Sequence, residues 1–594
     1  MREPSDKEFP KLRLPIGEDD YQEVIKKECF YIDKTLLIKE FWENGSKVFW
    51  VTRPRRFGKS MALSMLRYFF EKPAFEKPAF EKPAFENPVS AKTEQSTAYL
   101  FEKSNIWKEE KFRDLQGTYP VIFISFKDIK GTTWEKAYAE LQELLKREVK
   151  RTLKPLLHLM DEDSKSTYMS LINKTANEAE FNGVLFFITE IFKEIYGKNT
   201  IVLIDEYDSP ITHAYIYKFY EPMVNFMRQT LSKALKSNNH LEKGFLTGVV
   251  RTAKDGILSG LNNPNVYTMT AARFADKFGF TESETDDLLE KAGHLDKKEE
   301  LKSWYNGYVI GEQESSQVKV YNPWSVLQYL DHSCAPKPYW ARTGSVDLLE
   351  RLIREADEST QKDLKCLLED NVLENKQINE DVILLDLDTK NVEPWSFLFF
   401  AGYITATKHV FRDKKYYYTL AIPNQEIAEL YKDLVIGVLN QTFDSARLSK
   451  LMEALILGNV LEVESLLKEF ILSLCSFYDL PSNDLERSLH MFVLGLLASL
   501  SERYVIKSNL ESGTGRYDVL MHPKRAGDLA VIIEFKKGKN LKLEKLATQA
   551  LEQIKSGKYE SNLRDFGYKG KVLHYGIACY KKHLVAQMEI STVA

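Results

Sequence analysis

Short apolar runs alternate with amphipathic stretches in the first half of the chain. The run KVFWVT at 47–52 is rich in β-branched and aromatic residues, as buried strands are. Similar runs predict strands in three further places: 119–126, 201–205 and within 240–251. Apolar residues at three- and four-residue spacing predict helices between them, notably at 134–151 and 220–235. Strands that alternate with helices predict a largely parallel α/β sheet.

Beyond about residue 280 the pattern becomes helical and rich in aromatic residues. The stretch 402–424 interrupts these helices and predicts a β-hairpin between them, which is the shape of a winged-helix module. The tyrosine run at 416–418 favours packing within this hairpin, and a surface on which nucleic-acid bases stack is the alternative. The middle of the chain is therefore predicted to be helical with a winged-helix hairpin.

The pattern changes again toward the C-terminus. A helix is predicted at 485–500, then two strands at 516–523 and 529–538, then a second helix at 543–555. The chain is thus expected to divide into three parts: 1–290, 291–470 and 471–594.

Composition is that of an ordinary globular protein. Of the 594 residues, 44% are hydrophobic and 28% are charged, which suits a chain of several domains. The formal net charge is −4, so contact with nucleic acid needs a local basic surface. The five cysteines are scattered and form no CxxC pair, which argues against a disulfide framework or a structural zinc site. The polar start and the shortness of the longest apolar run predict a cytoplasmic protein without a membrane span.

A five-residue repeat, FEKPA, occupies residues 70–88. Its proline recurs at every fifth position, so the segment cannot continue a helix. We interpret the repeat as a surface insertion that follows the first helix of the α/β part. A peptide ligand for a groove on a partner is the alternative.

A glycine-containing loop, RPRRFGKS, follows the first predicted strand. A P-loop needs a backbone that wraps the β-phosphate, a lysine that reaches the β- and γ-phosphates, and a hydroxyl for Mg²⁺. Gly58, Lys59 and Ser60 supply these groups at a helix N-terminus, whose dipole favours anions. Three further residues complete the candidate loop: Arg56, Phe57 and Arg53, which stands where P-loops carry their first glycine.

Asp205 and Glu206 end a later apolar strand. Asp205 would bind Mg²⁺ at the C-terminal edge of the strand, and Glu206 would polarise the attacking water. A core strand followed by a solvated acidic turn is the alternative. Thr247 and Arg251 follow a further strand, where related ATPases carry a sensor for the γ-phosphate, although a surface ion pair explains Arg251 equally well. The two motifs together, in this order, favour a site for ATP and Mg²⁺.

A second group of candidate catalytic residues lies near the C-terminus. Glu534 and Lys536 share a strand face, and Asp518 lies beside Glu534 if the two predicted strands form a hairpin. Two carboxylates would then bind Mg²⁺, which activates water and neutralises charge on a phosphate. Lys536 would position that water or stabilise the developing charge, and Glu486 on the preceding helix would complete the metal shell. A hairpin with ordinary exposed charges is the alternative.

The surroundings of these residues favour a nuclease. Gln549 and Gln553 lie one turn apart on the following predicted helix. Seven lysines offer a local basic surface for a phosphate backbone: Lys536, Lys537, Lys539, Lys542, Lys545, Lys555 and Lys558.

Several motifs stand out together: TRPRRFGKS (52–60), VLIDEYDSPI (202–211), LTGVVR (246–251), WYNGY (304–308), GRYDV (515–519) and IIEFK (532–536). Together they resemble the AAA-ATPase-like family, whose members often end in a nuclease domain of the PD-(D/E)XK superfamily. The arginine at the first P-loop position fits that family's pattern. The resemblance implies an α/β fold: a P-loop NTPase parallel sheet, a helical/winged-helix middle and a C-terminal α/β restriction-endonuclease-like domain.

The leading hypothesis is an ATP-regulated endonuclease for DNA or RNA, in which ATP binding repositions the nuclease domain. A different hypothesis is a switch or signalling ATPase whose C-terminal domain binds nucleic acid without cleaving it. A third, a decayed mobile-element protein, is disfavoured because the candidate catalytic residues are all in place. The expected cofactors are ATP and Mg²⁺, and the expected partner is nucleic acid. No membrane partner is expected, and assembly into a homo-oligomer stays open.

Overall fold

The structure, a computed structural model, describes residues 12–593 with the following gaps: 74–95, 237, 251–263, 313–315, 341–346, 356, 371, 381–393, 478–484, 513–514, 539, 541, 557–558 and 581–582. Most of the FEKPA repeat and the predicted sensor Arg251 therefore lie outside the described residues. The chain divides into two compact units. The N-terminal unit is Met1–Thr343 with Asn375–Tyr418, and the C-terminal unit is Gly344–Glu374 with Thr419–Ala594.

The segment predicted as a separate middle part, 291–470, contributes residues to both units. The three-part division along the chain stays a prediction.

Up to residue 343 the elements are α1 (Tyr21–Lys26), α2 (Leu36–Glu43), β1 (Val48–Thr52), α3 (Lys59–Phe70), α4 (Glu110–Arg113), β2 (Val121–Ser125), α5 (Trp134–Leu153), α6 (Glu162–Asn173), α7 (Glu178–Asn182), α8 (Val184–Tyr196), β3 (Thr200–Asp205), α9 (Ser209–Ile216), α10 (Tyr220–Leu235), β4 (Leu241–Gly248), β5 (Asn265–Tyr267), β6 (Phe280–Thr281), α11 (Glu282–Ala292), α12 (Lys298–Tyr305), β7 (Tyr308–Ile310), β8 (Val318–Tyr321) and α13 (Pro323–Asp331). Then follow α14 (Asp347–Glu355), α15 (Glu358–Asp370), β9 (Val372–Lys376), α16 (Trp395–Ala401), β10 (Thr405–Arg412) and β11 (Lys415–Ala421). The last elements are α17 (Gln425–Thr442), α18 (Ser445–Leu457), α19 (Val460–Phe477), α20 (Leu485–Leu500), β12 (Tyr504–Ser512), β13 (Gly515–Pro523), β14 (Ala530–Lys537), α21 (Leu543–Ser556), α22 (Ser561–Asp565), β15 (Gly570–Tyr580) and β16 (His583–Val593).

A parallel sheet of five strands, in the order β2-β3-β4-β1-β5, forms the centre of the N-terminal unit. Strands β1 and β3 are buried at every position, as strands of a sheet with both faces covered are. Thr52 pairs with Gly248, and Ser125 pairs with Asp205, so four strand ends meet at one edge of the sheet. The parallel α/β sheet predicted from the sequence is confirmed, and its C-terminal edge gathers the candidate nucleotide residues.

Aromatic packing fixes the helix that follows the glycine loop. Phe41 of α2, Phe49 of β1, Phe70 of α3 and Phe245 of β4 form one cluster, with ring centroids 5.1 to 6.0 Å apart in the touching pairs. Burying such rings stabilises a core by about 1.5–3 kcal/mol each. The cluster therefore packs the C-terminal end of α3 against α2, next to β1 and β4.

The region predicted as helical beyond residue 280 also contains a small antiparallel sheet, in the order β6-β8-β7. Its strands have only two to four residues, too few for an alternating pattern to stand out in the sequence. The hairpin predicted at 402–424 is confirmed as β10 and β11, which neighbour each other in a sheet with β9. Its assignment to a winged-helix module stays a prediction.

The C-terminal unit contains a mixed sheet of five strands, in the order β12-β13-β14-β15-β16. Only β14 and β15 run parallel, and the other neighbours are antiparallel. The sequence predicted β13, β14 and the helices α20 and α21, and it missed β12, β15 and β16. Helix α21 lies so close to β15 that a Cβ on Gly576 would stand 2.3 Å from the carbonyl oxygen of Ala547. Because Gly576 pairs with Glu534, this close approach brings α21 next to the predicted catalytic strand.

Within the described residues, no helix combines the length and the apolar character needed to cross a bilayer.

Candidate nucleotide site and candidate nuclease site

The glycine loop has the backbone form that phosphate binding requires. Gly58 adopts φ 83°, and nothing lies within 4 Å of the position that a Cβ would take. This left-handed conformation costs glycine little, and the open space leaves room for a ligand close to the backbone. Lys59 starts α3 directly afterwards, so the free amides of the first turn face the loop.

Lys59 is buried within its own loop. Its Nζ donates to the carbonyl oxygens of Arg53 (2.9 Å) and Pro54 (2.8 Å). Burial lowers the pKa of Lys59, and the carboxylates of Glu206 and Asp205 oppose that effect. The lysine is therefore held at the C-terminal edge of the sheet by two carbonyl groups that phosphate oxygens can replace.

Arg53, which stands in place of the first P-loop glycine, faces the protein interior. Its guanidinium is fully buried and donates to the carbonyl oxygens of Thr52 (2.8 Å), Tyr267 (3.0 Å), Thr268 (2.9 Å) and Phe274 (3.2 Å). Burial lowers the pKa of Arg53 to about 9, so the side chain stays protonated at neutral pH. Arg53 thus connects the loop with the end of β5 and the segment that follows it. Its guanidinium donates its hydrogen bonds to backbone carbonyl groups of the protein.

Replacing Arg53 with Met should lower the melting temperature of the N-terminal unit markedly. Each buried carbonyl left without a donor costs about 1–3 kcal/mol, so the loss should reach ~3 kcal/mol or more. Thermal unfolding followed by circular dichroism measures it. Arg55→Met, at the exposed neighbouring position, is the matched control and should change little. Equal melting temperatures for the two variants would contradict a structural role for Arg53.

The rest of the loop packs on residues from 308–340. Phe57 is buried against Tyr308, with ring centroids 5.0 Å apart. The exposed Arg56 has its guanidinium carbon 4.4 Å from the ring centroid of Trp324, and the indole nitrogen of Trp340 donates to the carbonyl oxygen of Arg55 (3.1 Å). The buried side chains of Arg53 and Phe57 therefore pack the loop against the protein interior, whereas the side chain of Arg56 lies on the surface of the loop.

Asp205 joins three strand ends and the P-loop helix. One carboxylate oxygen accepts from the hydroxyls of Ser60 (2.6 Å) and Ser125 (3.4 Å), and the other accepts from Thr247 (2.6 Å). The structure thus brings Ser60, Asp205 and Thr247 together as predicted. Ser125, at the end of β2, was missed because a lone serine after a strand carries no signal. The set of hydroxyl and carboxylate oxygens is the chemistry that Mg²⁺ prefers.

Glu206 follows Asp205 in a strained conformation. Its φ of 50° is rare for a residue with a side chain, and such strain often marks functional sites. Burial raises the pKa of Glu206, and Lys59 opposes the shift. Asp208, two residues later, accepts from the backbone amides of Val249 (2.8 Å) and Val250 (2.9 Å). These bonds join the end of β3 to the loop after β4, which leads to Arg251.

Asp518 and Glu534 lie side by side on the antiparallel strands β13 and β14, as predicted. Val519 pairs with Ile533, which places Asp518 across from Glu534, and the backbone amide of Phe535 donates to Asp518 (2.7 Å). Burial raises the pKa of Asp518. Burial, and then the charge of Asp518, raise the pKa of Glu534 to about 8.

One carboxylate oxygen of Glu534 accepts no hydrogen bond from the described residues. The residue is only 4% exposed, Oε1 accepts from the amide of Gln553, and Oε2 has no hydrogen-bond partner among the described residues. A buried oxygen without a partner, next to a second carboxylate, fits a divalent cation with oxygen ligands. The donor set of Asp518 and Glu534 therefore suits Mg²⁺.

Gln553 on α21 connects Glu534 with Lys536. Its Oε1 accepts from Lys536 Nζ (2.5 Å), while its Nε2 donates to Glu534 and to the hydroxyl of Tyr559 (3.0 Å). Lys536 Nζ lies 3.9 Å from Glu534 Oε1. The predicted common face of Glu534 and Lys536 is thus observed. The bridging role of Gln553 depends on the close approach of α21 to the sheet, which the sequence pattern does not reveal.

Helix α15 supplies a lysine that the sequence analysis missed. One turn after Lys365, Glu369 accepts from the hydroxyl (2.8 Å) and the amide of Ser508 in β12. Ser508 pairs with Val519, the residue after Asp518. Lys365 itself is 4% exposed, and burial lowers its pKa while nearby carboxylates oppose the shift. Lys365 and Asp518 lie far apart in sequence, so no local sequence pattern predicts that they are neighbours.

The positive charge of Lys365 lowers the pKa of nearby carboxylates such as Asp518. Replacing Lys365 with Met should therefore raise the pH at which the C-terminal unit binds Mg²⁺, by about half a pH unit to one pH unit. Melting temperatures with and without Mg²⁺, taken across a pH series, measure this shift. Lys362→Met, at an exposed position of the same helix, is the control. An unchanged pH profile would contradict an electrostatic role for Lys365.

The remaining predicted residues are only partly described. Glu486 falls in the first turn of α20, at a position whose side chain lies outside the described part. Of the predicted basic surface, Lys555 forms an ion pair with Glu589, while Lys539 and Lys558 lie in the gaps. Among the described residues, no group of three or more His, Cys, Asp or Glu side chains is placed to hold a metal ion.

Two family models match the parts of the chain that contain these residues. Residues 15–258 match the family model described as Predicted AAA-ATPase, and residues 484–589 match that of the PD-(D/E)XK nuclease superfamily. A protein of Azotobacter chroococcum mcd 1, described as "Uncharacterized protein in vnfD 5'region", is 25% identical over 456 residues, which cover 75% of this chain and 74% of that protein. The solved structure of the Walker-type ATPase PABY2304 of Pyrococcus abyssi aligns with 71% of this chain and 99% of its own, at 14% identity and a TM-score of 0.33. The family matches confirm both parts of the resemblance stated from the sequence.

Proposed function

We propose that this chain, which carries a predicted AAA-ATPase domain and a PD-(D/E)XK nuclease superfamily domain, binds and hydrolyses ATP and cleaves DNA or RNA with Mg²⁺. The observation that carries the proposal is the group Asp518, Glu534 and Lys536 on neighbouring strands of one sheet. Gln553 of α21 connects Glu534 with Lys536, and the Phe535 amide donates to Asp518. Enzymes that hydrolyse phosphodiesters use two carboxylates and an ammonium of this kind, here from Asp518, Glu534 and Lys536.

The residues around the glycine loop support ATP binding. Lys59 Nζ would exchange the carbonyl oxygens of Arg53 and Pro54 for phosphate oxygens, which bind an ammonium more strongly because they are charged. Ser60 and Asp205 would hold Mg²⁺, which neutralises phosphate charge when bound. Glu206, whose pKa is raised by burial, would orient the attacking water and accept its proton.

The acidic residues of the C-terminal unit support hydrolysis of a phosphodiester. Asp518 and Glu534 would hold Mg²⁺, which when bound lowers the pKa of water and neutralises charge on the scissile phosphate. Glu534 must first release its proton, since its pKa is raised to about 8. Lys536 would turn from Gln553 to the phosphate and stabilise the added negative charge. The water oxygen would bond to phosphorus and give up a proton to solvent, the bond to the leaving oxygen would break, and that oxygen would take up a proton from solvent.

Location and assembly are part of the same proposal. The described cysteines Cys29, Cys334, Cys366 and Cys579 are all unpaired, which supports a reducing compartment, and we propose the cytoplasm. Nucleic acid is the proposed partner of the C-terminal unit.

The test is cleavage of plasmid DNA, single-stranded DNA and RNA by the full chain with Mg²⁺, with and without ATP. Wild type is compared with Lys59→Ala and Glu534→Gln. Cutting that depends on ATP and is lost in both variants supports an ATP-regulated nuclease. ATP hydrolysis without cutting of any of the three substrates contradicts the nuclease and favours a switch ATPase that only binds nucleic acid.

A further inference from the structure

The tip of the β10–β11 hairpin, residues 407–417, is exposed on both faces. Val410 and Phe411 are each 61% exposed, and Tyr416 is 42% exposed. Tyr418, at the base, is buried and donates from its hydroxyl to Glu312 (3.0 Å). The tyrosine run thus divides: Tyr418 packs as the sequence predicted, whereas Tyr416 stands in solvent. Clustered apolar exposure of this kind marks an interaction surface.

One face of the hairpin carries a row of aromatic rings. The ring centroids of Phe411 and Tyr416 lie 4.9 Å apart, and His409 lies 5.6 Å from Tyr416 and 5.9 Å from Tyr418. Alternate residues of a strand share a face, which explains why these four side chains form a row. Asp413 and Lys414, both with positive φ, form the two-residue turn that aligns the strands.

The same tip is strongly basic, although the chain as a whole carries a net charge of −4. Residues 407–417 contain four basic side chains, Lys408, Arg412, Lys414 and Lys415, against the single carboxylate of Asp413. All four are exposed, and the three lysines form no ion pair with a described residue. The guanidinium carbon of Arg412 lies 4.2 Å from the ring centroid of Tyr417. By the alternation along β10 and β11, Lys408, Arg412 and Lys415 lie on the face opposite the aromatic row, and Lys414 lies in the turn at the end of that row. The cations therefore surround the exposed tip, and a basic tip with exposed rings has the chemistry of a nucleic-acid contact.

We infer that this hairpin tip binds single-stranded nucleic acid, with unpaired bases stacked on the aromatic row and phosphates bound by the lysines. The choice of nucleic acid as the partner rests on the proposed function. A single strand is favoured over a duplex because only unpaired bases expose the faces that Phe411 and Tyr416 can stack on. The contact belongs to the N-terminal unit and is separate from the residues proposed to cleave the strand.

The experiment measures binding of the full chain, in EDTA so that no cleavage occurs, to labelled oligothymidylate, oligouridylate and a duplex of equal length. The aromatic variant is Phe411→Leu with Tyr416→Leu, which keeps apolar bulk and removes the π faces. The basic variant is Lys414→Gly with Lys415→Gln, because glycine suits the positive φ of Lys414. The matched controls are Tyr99→Leu with Tyr217→Leu, which are 46% and 47% exposed, and the exposed pair Lys103→Gln with Lys136→Gln.

The aromatic variant should bind single strands about 10-fold more weakly or worse, with duplex binding nearly unchanged. The basic variant should reduce the salt dependence of single-strand binding by about 1.4 in the log–log slope, since two phosphate contacts are lost. Comparing the affinities for oligothymidylate and oligouridylate shows whether the hairpin tip prefers DNA or RNA. Circular dichroism and thermal melting establish that the variants are folded.

Single-strand affinity within about twofold of wild type in the aromatic variant, or an equal loss in its control, would overturn the inference. A changed oligomeric state with unchanged strand binding would overturn it too, and would assign the tip to self-association. The inference and the proposed function are tested separately, because strand binding is measured in EDTA, where no cleavage occurs, and cleavage is measured in Mg²⁺. A wild-type chain that binds strands through the tip but never cuts them contradicts only the proposed nuclease.

Discussion

A Glu534→Gln variant should lose Mg²⁺-dependent cleavage by about three orders of magnitude or more, while it remains folded and binds nucleic acid. Glutamine keeps the shape of the side chain and its contact with Gln553, but it removes one of the two carboxylates available to Mg²⁺. Electrostatic stabilisation of this kind supplies several kcal/mol, and each 1.4 kcal/mol is about tenfold in rate. Single-turnover cleavage of a labelled strand measures the loss.

The same variant should change how stability depends on pH. The pKa of Glu534 is raised from its ordinary value of 4.5 to about 8, so the folded chain retains a proton that the unfolded chain has released. Without metal, the C-terminal unit should therefore lose stability as the pH rises from about 4.5 to about 8, by up to ~1.4 kcal/mol per pH unit. Glu534→Gln should flatten this decline, leaving a smaller part from Asp518, whose pKa is also raised.

Mg²⁺ should reverse that decline. Because the metal binds the deprotonated carboxylates, the melting temperature gained on adding Mg²⁺ should grow as the pH rises toward 8 in wild type and should be small in Glu534→Gln. Glu544→Gln, an exposed glutamate in the first turn of α21, is the matched control. Wild-type cleavage retained in Glu534→Gln, or a Mg²⁺ effect equal in both variants, would rule out the assignment of Glu534 as a metal ligand.

A Lys59→Ala variant should bind ATP about 100-fold more weakly than wild type. Lys59 would make charge-assisted hydrogen bonds to phosphate, and two such bonds contribute about 1.5–3 kcal/mol each. Titration with a fluorescent ATP analogue measures the affinity. Lys39→Ala, a partly exposed lysine of α2 paired with Glu109, is the control and should bind ATP normally. ATP affinity unchanged in Lys59→Ala would show that the glycine loop is not the nucleotide site.

This variant also tests whether the two units are coupled. If ATP binding controls the nuclease, Lys59→Ala should lose ATP-dependent cutting while its Mg²⁺-induced gain in melting temperature stays that of wild type. Cutting that persists at the wild-type rate would indicate a nuclease that works independently of the nucleotide.

Local patterns were sufficient to predict some of the site. An apolar strand that ends in Asp205, and a glycine loop before a helix, identify the edge of the sheet at which Ser60 and Thr247 meet that carboxylate. The period of two along a strand likewise places Glu534 and Lys536 on one face. In both cases the relevant residues belong to one strand, to neighbouring strands or to the helix that directly follows a strand of the same sheet.

Other features arise from contacts between segments that are distant in sequence. The direction of the Arg53 side chain depends on carbonyl groups at 267–274, and the position of Lys365 depends on a helix that packs on α20. Neither follows from a local pattern. Strands β12, β15 and β16 carry none of the D…ExK residues, so the motif that identifies β13 and β14 does not extend to them.

The path of the chain has a practical consequence for dissecting the protein into fragments. The chain enters the C-terminal unit at Gly344, leaves it at Glu374 and returns at Thr419. A fragment that starts at 471 would therefore lack α15, which carries Lys365 and the contact of Glu369 with Ser508. A soluble, active nuclease fragment is expected only if 344–374 is supplied as well, either fused through a short linker to 419–594 or co-expressed as a separate peptide.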